Sequence, residues 1–424
     1  MGWYICRQSS CHGICTAKMH SASLLSTLLF VLTAVAKPIV VDSFLTLPIS
    51  KRVNFTGTST LVERDLARAK HLRSRAEAKL FGRAVISEPV DNQAVTYVAA
   101  IGVGSPPTTY QLLVDTGSSN TWIGATLPYV RTSTSVATNQ RVAVTYGSGD
   151  FQGNEFTDQV TIASGLVISS QSIGVATSSE GFDGVDGILG IGPVDLTLDT
   201  LSPATTSTIP TVTDNLFNEG TITSNLIGIS FEPTTQVEVL NGEITWGGTD
   251  SSKLTGAISF APVTKTSPAS EFWGITQTVR YGASTTIQSN TAGIVDTGTT
   301  LLLLSSNGFS AYTRATGAVN DQATGLLRIT AAQFSALQSL FFTINGVTFE
   351  FTANAQLWPR ALNTAIGGQA NRIYLIVANL GTPSGEGFDF VNGFAFLERF
   401  YSVFDTGNKR IGFATTPFTT ATTN

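Results

Sequence analysis

From Val85 onward the chain is a series of short apolar runs closed by turn residues. Tyr97-Val98-Ala99-Ala100-Ile101 and Tyr110-Gln111-Leu112-Leu113-Val114 flank the turn Gly104-Ser105-Pro106-Pro107. β-Branched and aromatic residues bounded by Gly and Pro predict strands. Residues 142–146 alternate and end in Gly147-Ser148-Gly149, which predicts a hairpin tip. Residues 229–262, 272–289, 341–352 and 373–377 are strand-like, and 396–414 read as two strands around a turn. Helical spacing marks three places. In 61–80, Val62, Leu66, Ala69, Leu72, Ala76 and Leu80 recur on one face, among good helix formers. Residues 210–219 carry an apolar pair on one face, and 330–339 place Phe334, Leu337 and Leu340 at i, i+3 and i+6.

Two apolar runs end alike. Leu112-Leu113-Val114-Asp115-Thr116-Gly117-Ser118-Ser119 has a counterpart 181 positions later, Gly293-Ile294-Val295-Asp296-Thr297-Gly298-Thr299-Thr300. Each is a buried-strand pattern that delivers one carboxylate to a Gly turn, followed by two hydroxyl residues. Two such carboxylates brought face to face repel when both are ionised, so they share a proton. One can then act as base while the other acts as acid. A third copy, Asp405-Thr406-Gly407, is followed by Asn408-Lys409 and no hydroxyl pair. It reads as a hairpin turn with a structural Asp.

Composition narrows the chemistry. Gly is abundant at 40 of 424 residues, and the apolar runs are short, which favours a mostly β protein rich in turns. Residues 1–83 hold 12 of the 24 Lys and Arg and 4 of the 29 Asp and Glu, a formal +8, which leaves a formal −13 on 84–424. All three His (His12, His20, His71) and all three Cys (Cys6, Cys11, Cys15) precede position 84. The body therefore lacks the imidazole of a Ser-His-Asp triad, a thiol nucleophile and the usual zinc ligands. It has no Walker-type loop and no strongly basic patch for nucleic acid. The run Gly187-Ile188-Leu189-Gly190-Ile191-Gly192 lacks the strand-to-helix context of a phosphate loop, which leaves close backbone packing. Carboxylates are the main acid–base groups that remain. An acidic body of this kind is less self-repelling at low pH.

The first 83 residues divide into three. Residues 1–18 hold the cysteines ahead of a second Met, Met19. Residues 24–36 are apolar and end Ala34-Val35-Ala36. They read as a secretory signal or a buried core helix, and the terminal position and small-residue exit favour the signal. The stretch is too short to span a bilayer. Residues 37–83 read as a removable segment ending near Ala84, with one Asn-x-Thr site at Asn54-Phe55-Thr56. Its helix carries Arg64, Arg68, Lys70, Arg73, Arg75, Lys79 and, just beyond, Arg83. It is either a solvated charged helix or an inhibitory segment held by charge on the acidic body, and low pH would loosen that hold. The tip at 146–149 is likewise an ordinary hairpin or a mobile flap, with Gly147 and Gly149 as permissive backbone and Tyr146 as a wall.

From Val85 to the C-terminus the chain resembles the pepsin-like aspartic proteases. Val-Asp-Thr-Gly-Ser-Ser-Asn-Thr-Trp at 114–122 and Ile-Val-Asp-Thr-Gly-Thr-Thr at 294–300 fit that family's two active-site patterns. Tyr146-Gly147-Ser148-Gly149 fits its flap, and Asp186-Gly187-Ile188-Leu189-Gly190 its apolar-Gly element. Tyr401-Ser402-Val403-Phe404-Asp405 and Ile411-Gly412-Phe413-Ala414 fit its closing strands. The resemblance implies an all-β bilobal fold with lobes at 84–233 and 234–424 and a cleft between them. It implies acid endopeptidase action beside bulky apolar residues, with Asp115 and Asp296 in the catalytic places. Gly117, Ser118, Gly298 and Thr299 fall where the family orients those carboxylates. Tyr146, Gly147, Ser148 and Ile188 fall on the substrate side, and Trp122 falls at the family's position behind the flap that pairs with Tyr146. Polypeptide substrates and the chain's own basic segment, as intramolecular inhibitor, are the partners implied. A secreted monomer is expected, with no metal, cofactor, nucleic acid or membrane. Two departures stand out: Asn392 replaces an apolar residue and Phe394 an Asp, which predicts altered local packing with activity kept. The body can form no disulfide, so burial alone must stabilise it.

Two rivals make distinct forecasts. An inactive peptide-binding relative would have lost an Asp or a flanking hydroxyl. A glycoside hydrolase would hold its carboxyls about 5 Å or more apart around a sugar.

Overall fold

The two apolar runs are strands, Thr108–Asp115 and Thr285–Val295, and each sits in the same local arrangement. Thr108–Asp115 lies parallel to Gly187–Gly190, which lies antiparallel to Trp122–Ile123. Thr285–Val295 lies parallel to Phe390–Asn392, which lies antiparallel to Leu302–Leu304. The structure, a computed structural model, describes residues 44–53, 59–81, 95–147 and 149–423. All of them belong to the unit that spans residues 42–424. Met19, the apolar block 24–36, Asn54 to Thr56, the boundary expected near Ala84, and Ser148 lie outside the described residues.

The fold is all-β and bilobal, of the pepsin-like kind. A 14-stranded sheet takes strands from both halves of the chain, and sheets of seven and three strands belong to the second half. The core is the alternate face of these strands, with Val114, Ile294, Leu302 and Phe390 fully buried. The Gly187 to Gly192 run serves backbone packing, as its context suggested. A Cβ at Gly187 would stand 1.9 Å from the Trp122 carbonyl oxygen, and one at Gly190 would stand 2.5 Å from that of Asn120. The Asp405 turn is structural too. Asp405 accepts from the Asn408 backbone at 3.0 Å and the Arg410 guanidinium at 2.7 Å.

The helices depart from expectation in part. Leu61–Phe81 and Val212–Asn218 form where predicted, the second opened by a reciprocal Thr211/Asp214 cap. The helix expected over 330–339 covers only Ala331–Ser335, and Leu340 begins a strand instead. Neither Phe334 nor Leu337 could extend it once Leu340 paired with Phe351. A helix at Ser306–Thr316 was not foreseen, although it carries an N-cap Ser305 and a left-handed Gly317 at its end.

The strand Leu45–Val53 was also missed. It lies between Glu238–Trp246 and Val95–Val103 and is hydrogen-bonded to both. Its Lys51 is 2% exposed and reaches Glu398 at 2.5 Å, where the Tyr97 hydroxyl also donates at 3.2 Å. Phe394 packs edge-on against Tyr97 at 5.5 Å, with the Lys51 ammonium 5.3 Å from its ring centre. Asn392 is buried and exchanges hydrogen bonds with Gln277 at 2.9 and 3.3 Å. The two departures are thus a paired amide and an aromatic wall, each with partners of its own. Lys51→Met should cost roughly 3–5 kcal/mol, because Glu398 would keep a buried charge without its cation. Adding Glu398→Gln should recover most of that loss. Denaturant midpoints of the full-length chain check both, and an unchanged midpoint for the single variant would count against the account.

Candidate active site

Asp115 and Asp296 are fully buried at the ends of their strands and are held alike. The Gly117 N–H donates to Asp115 at 2.8 Å and the Ser118 hydroxyl at 2.5 Å. The Gly298 N–H donates to Asp296 at 3.1 Å and the Thr299 hydroxyl at 2.6 Å. Beneath them the two turns are clasped by their threonines. The Thr116 N–H donates to the Thr297 hydroxyl at 3.0 Å, and the Thr297 N–H donates to the Thr116 hydroxyl at 2.9 Å. Each hydroxyl also reaches a carbonyl across the junction, Thr297 to Val114 and Thr116 to Val295. The doubled Asp-Thr-Gly was the signal for this clasp, although only the flanking residues had been singled out.

One guanidinium joins the pair. A single Arg68 nitrogen donates to Asp115 at 2.5 Å and to Asp296 at 2.9 Å, and its Nε donates to Asp296 at 2.7 Å. Both carboxylates therefore lie within hydrogen-bond reach of one atom. Gly117 and Gly298 make room for it, since a Cβ at either would stand 2.5 or 2.4 Å from that same Arg68 nitrogen. Burial alone would raise Asp296, but the Arg68 charge, its hydrogen bonds, and those from Thr299 and Gly298 hold it below the usual carboxylate range. Burial pushes Asp115 up. Arg68 opposes that rise, the neighbouring Asp296 adds to it, and Ser118 and Gly117 oppose it.

Arg68 comes from the helix Leu61–Phe81, which the charge pattern had marked as basic. The helix lies across the site rather than standing in solvent. Arg64, Asp65, Arg68 and His71 are buried on it, whereas Leu80, expected on its apolar face, is 39% exposed. Ala69, Leu72 and Ala76 of the expected face are buried in the core, but an apolar period counts apolar positions only and gave no sign of the four polar residues buried beside them. The flap tip touches this helix directly. A Cβ at Gly147 would stand 2.1 Å from the Arg68 Cα, so only glycine fits while the helix is in place. Behind the tip, Tyr146, Trp122 and Ile188 share an apolar cluster with Phe151 and Phe182. Trp122 stacks on Phe151 at 4.2 Å, and Phe182 stands edge-on to Trp122 at 4.8 Å and to Tyr146 at 5.4 Å. The two Phe residues had not been singled out. Phe151 was legible, since it lies opposite Val144 on the second flap strand.

A family model described as eukaryotic aspartyl protease matches residues 96–416. The chain belongs to the eukaryotic aspartyl protease family. It is an aspartic-type endopeptidase. Polyporopepsin of Irpex lacteus is 67% identical over 338 residues, covering 80% of this chain and 99% of that relative. Human gastricsin is 31% identical over 350 residues, covering 78% of this chain and 84% of that relative. The crystal structure of an aspartic proteinase from Irpex lacteus superposes with a TM-score of 0.78 at 58% identity, covering 90% of this chain and all of that one.

Within this aspartyl protease, Asp65 marks a second polar anchor of the helix. It accepts from the Leu301 N–H at 2.7 Å and the Thr300 N–H at 3.1 Å. Burial pushes its carboxyl up to about 7, against the pull of those N–H groups and of Arg64 and Arg68. A carboxyl raised by docking favours the docked state when protonated. Its contribution is full below the ordinary value of 3.8 and is lost as pH rises through about 7. Asp65→Asn should remove that dependence, a difference of at most on the order of 4 kcal/mol between acid and neutral pH. Melting temperatures of the two full-length chains across that range check it, and parallel curves would sink it.

Proposed function

We propose that Asp115 and Asp296 are the catalytic pair of an endopeptidase that works at acid pH. One carboxylate takes a proton from a water held between them, and that water attacks the peptide carbonyl carbon. The other carboxyl stabilises the oxyanion, and a proton passes to the leaving nitrogen. No acyl-enzyme forms. The observation that carries this reading is the single Arg68 nitrogen shared by both carboxylates, which favours a proton-sharing pair over carboxyls spaced around a sugar. Ser118, Thr299, Gly117 and Gly298 orient the pair. Trp122, Tyr146 and Ile188, with Phe151 and Phe182, form the apolar wall that would favour bulky apolar residues beside the scissile bond.

The same contact supports the inhibitory role of the segment before residue 84. Arg68 fills the space that water and substrate carbonyl need, so substrate and helix exclude each other. Acid favours release through Asp296. Its pKa is depressed by docking, so that part of the hold is lost as pH falls through the docked value. Asp65 works in the opposite direction. Residues 84–233 and 234–424 serve as the two lobes of a secreted monomer that acts on polypeptides. The test is replacement of either Asp by Asn, with cleavage of denatured protein at acid pH as the readout. A companion measurement acidifies the full-length chain and sequences the new N-terminus.

A further inference from the structure

We infer that Glu271 and Glu386 form an acidic subsite that binds a Lys or Arg side chain of the substrate, away from the scissile bond. The inference rests on the reading that the helix Leu61–Phe81 leaves the cleft. While in place, that helix shows what these carboxylates take. Lys79 reaches Glu271 at 2.7 Å, and Arg73 pairs with Glu386. The two acidic segments are tied together, since the Ala269 N–H donates to the Gly387 carbonyl at 3.2 Å.

The charges left behind support the same conclusion. A cavity of about 320 Å³ beside Glu271 is lined by His71, Arg75 and Lys79 from the helix and by Asp195, Asp199 and Glu271 from the body. When the helix departs, its cations go with it. Among the described residues, the body wall of that cavity then presents three carboxylates and no Lys or Arg. Facing carboxylates without a cation repel one another, and a basic side chain relieves that.

The helix also gives the register. Arg73 and Lys79 follow Arg68 by five and eleven residues. At about 1.5 Å per residue, they stand roughly 7.5 and 16 Å from Arg68 along the helix axis. An extended peptide rises about 3.3 Å per residue, so one that runs along the line of the helix with its scissile bond at the place of Arg68 would meet Glu386 roughly two residues and Glu271 roughly five residues away, on one side of that bond.

The test uses the processed enzyme and a peptide with one good cleavage site. A single Lys is walked through five positions on each side of that site, and each peptide is matched by one with the uncharged isostere norleucine. We expect the Lys:norleucine ratio of kcat/KM to rise roughly two- to fivefold at positions on one side only, the size of a partly exposed ion pair. That ratio should fall towards one in high salt and in Glu271→Gln/Glu386→Gln enzyme. A ratio of one at every position, or a gain that survives the double substitution, overturns the inference. If the processed enzyme cleaves neither member of any pair, the catalytic reading above fails instead.

Discussion

Arg68→Met should weaken inhibition by the N-terminal segment by roughly a hundredfold or more and let the unprocessed chain cleave peptides. Among the described residues, Arg68 supplies the cation between two buried carboxylates, each of which already accepts bonds from its own turn. Removing one member of a buried ionic network costs about 3–5 kcal/mol, because the remaining charges stay desolvated. Part of that loss is recovered here, since two carboxylates without a guanidinium take up a proton. This places the expected effect at the lower end of that range. Arg68→Lys should fall between the two, since an ammonium keeps the charge but cannot fork across both oxygens. Inhibition constants of synthetic 44–81 peptides against processed enzyme measure all three. An Arg68→Met peptide as tight as its parent would show that Asp65 and the outer ion pairs hold the helix and that Arg68 does not.

Asp115→Asn and Asp296→Asn should each lower peptide cleavage by at least about a thousandfold, within the range for loss of a general acid–base group. An amide at either place can neither take the proton of the water nor pass one on. The clasp of Thr116 and Thr297 uses backbone and hydroxyl groups, so the turns should keep their shape in both variants. Near-UV circular dichroism checks that. The parent enzyme should show a bell-shaped pH profile, highest where the pair holds one proton, with two macroscopic values that belong to both residues together. Cleavage retained in either variant, with the fold intact, would remove that residue from the mechanism.

Much of the fold could be read from the chain because strands and turns announce themselves locally. The repeated Asp-Thr-Gly context marked two related strands, and the structure gives them matching neighbours at Gly187–Gly190 and Phe390–Asn392. The basic helix was legible as a helix from its 3.6-residue period. What it buries was legible only in part: Ala69, Leu72 and Ala76 of the apolar face are in the core, but the period counts apolar residues and gave no sign of Arg64, Asp65, Arg68 and His71, which are buried too. The strand Leu45–Val53 escaped because Lys51 and Arg52 interrupt its apolar pattern, and Lys51 is tolerated inside only because Glu398, far along the chain, meets it. The helix expected over 330–339 stopped early because strand pairing at Leu340 outweighed a weak local preference.

The residues alone determined which groups could do chemistry: no His or Cys in the body, and two carboxylates in matched settings. They also determined the strand-rich class, since alternation and turn residues act over a few positions. Only the tertiary structure decided that Asp115 and Asp296 meet, that Arg68 is the group between them, and that Lys79 and Arg73 rest on Glu271 and Glu386. Those contacts join residues far apart in the chain, and their strength depends on shared burial. No local pattern carries either quantity.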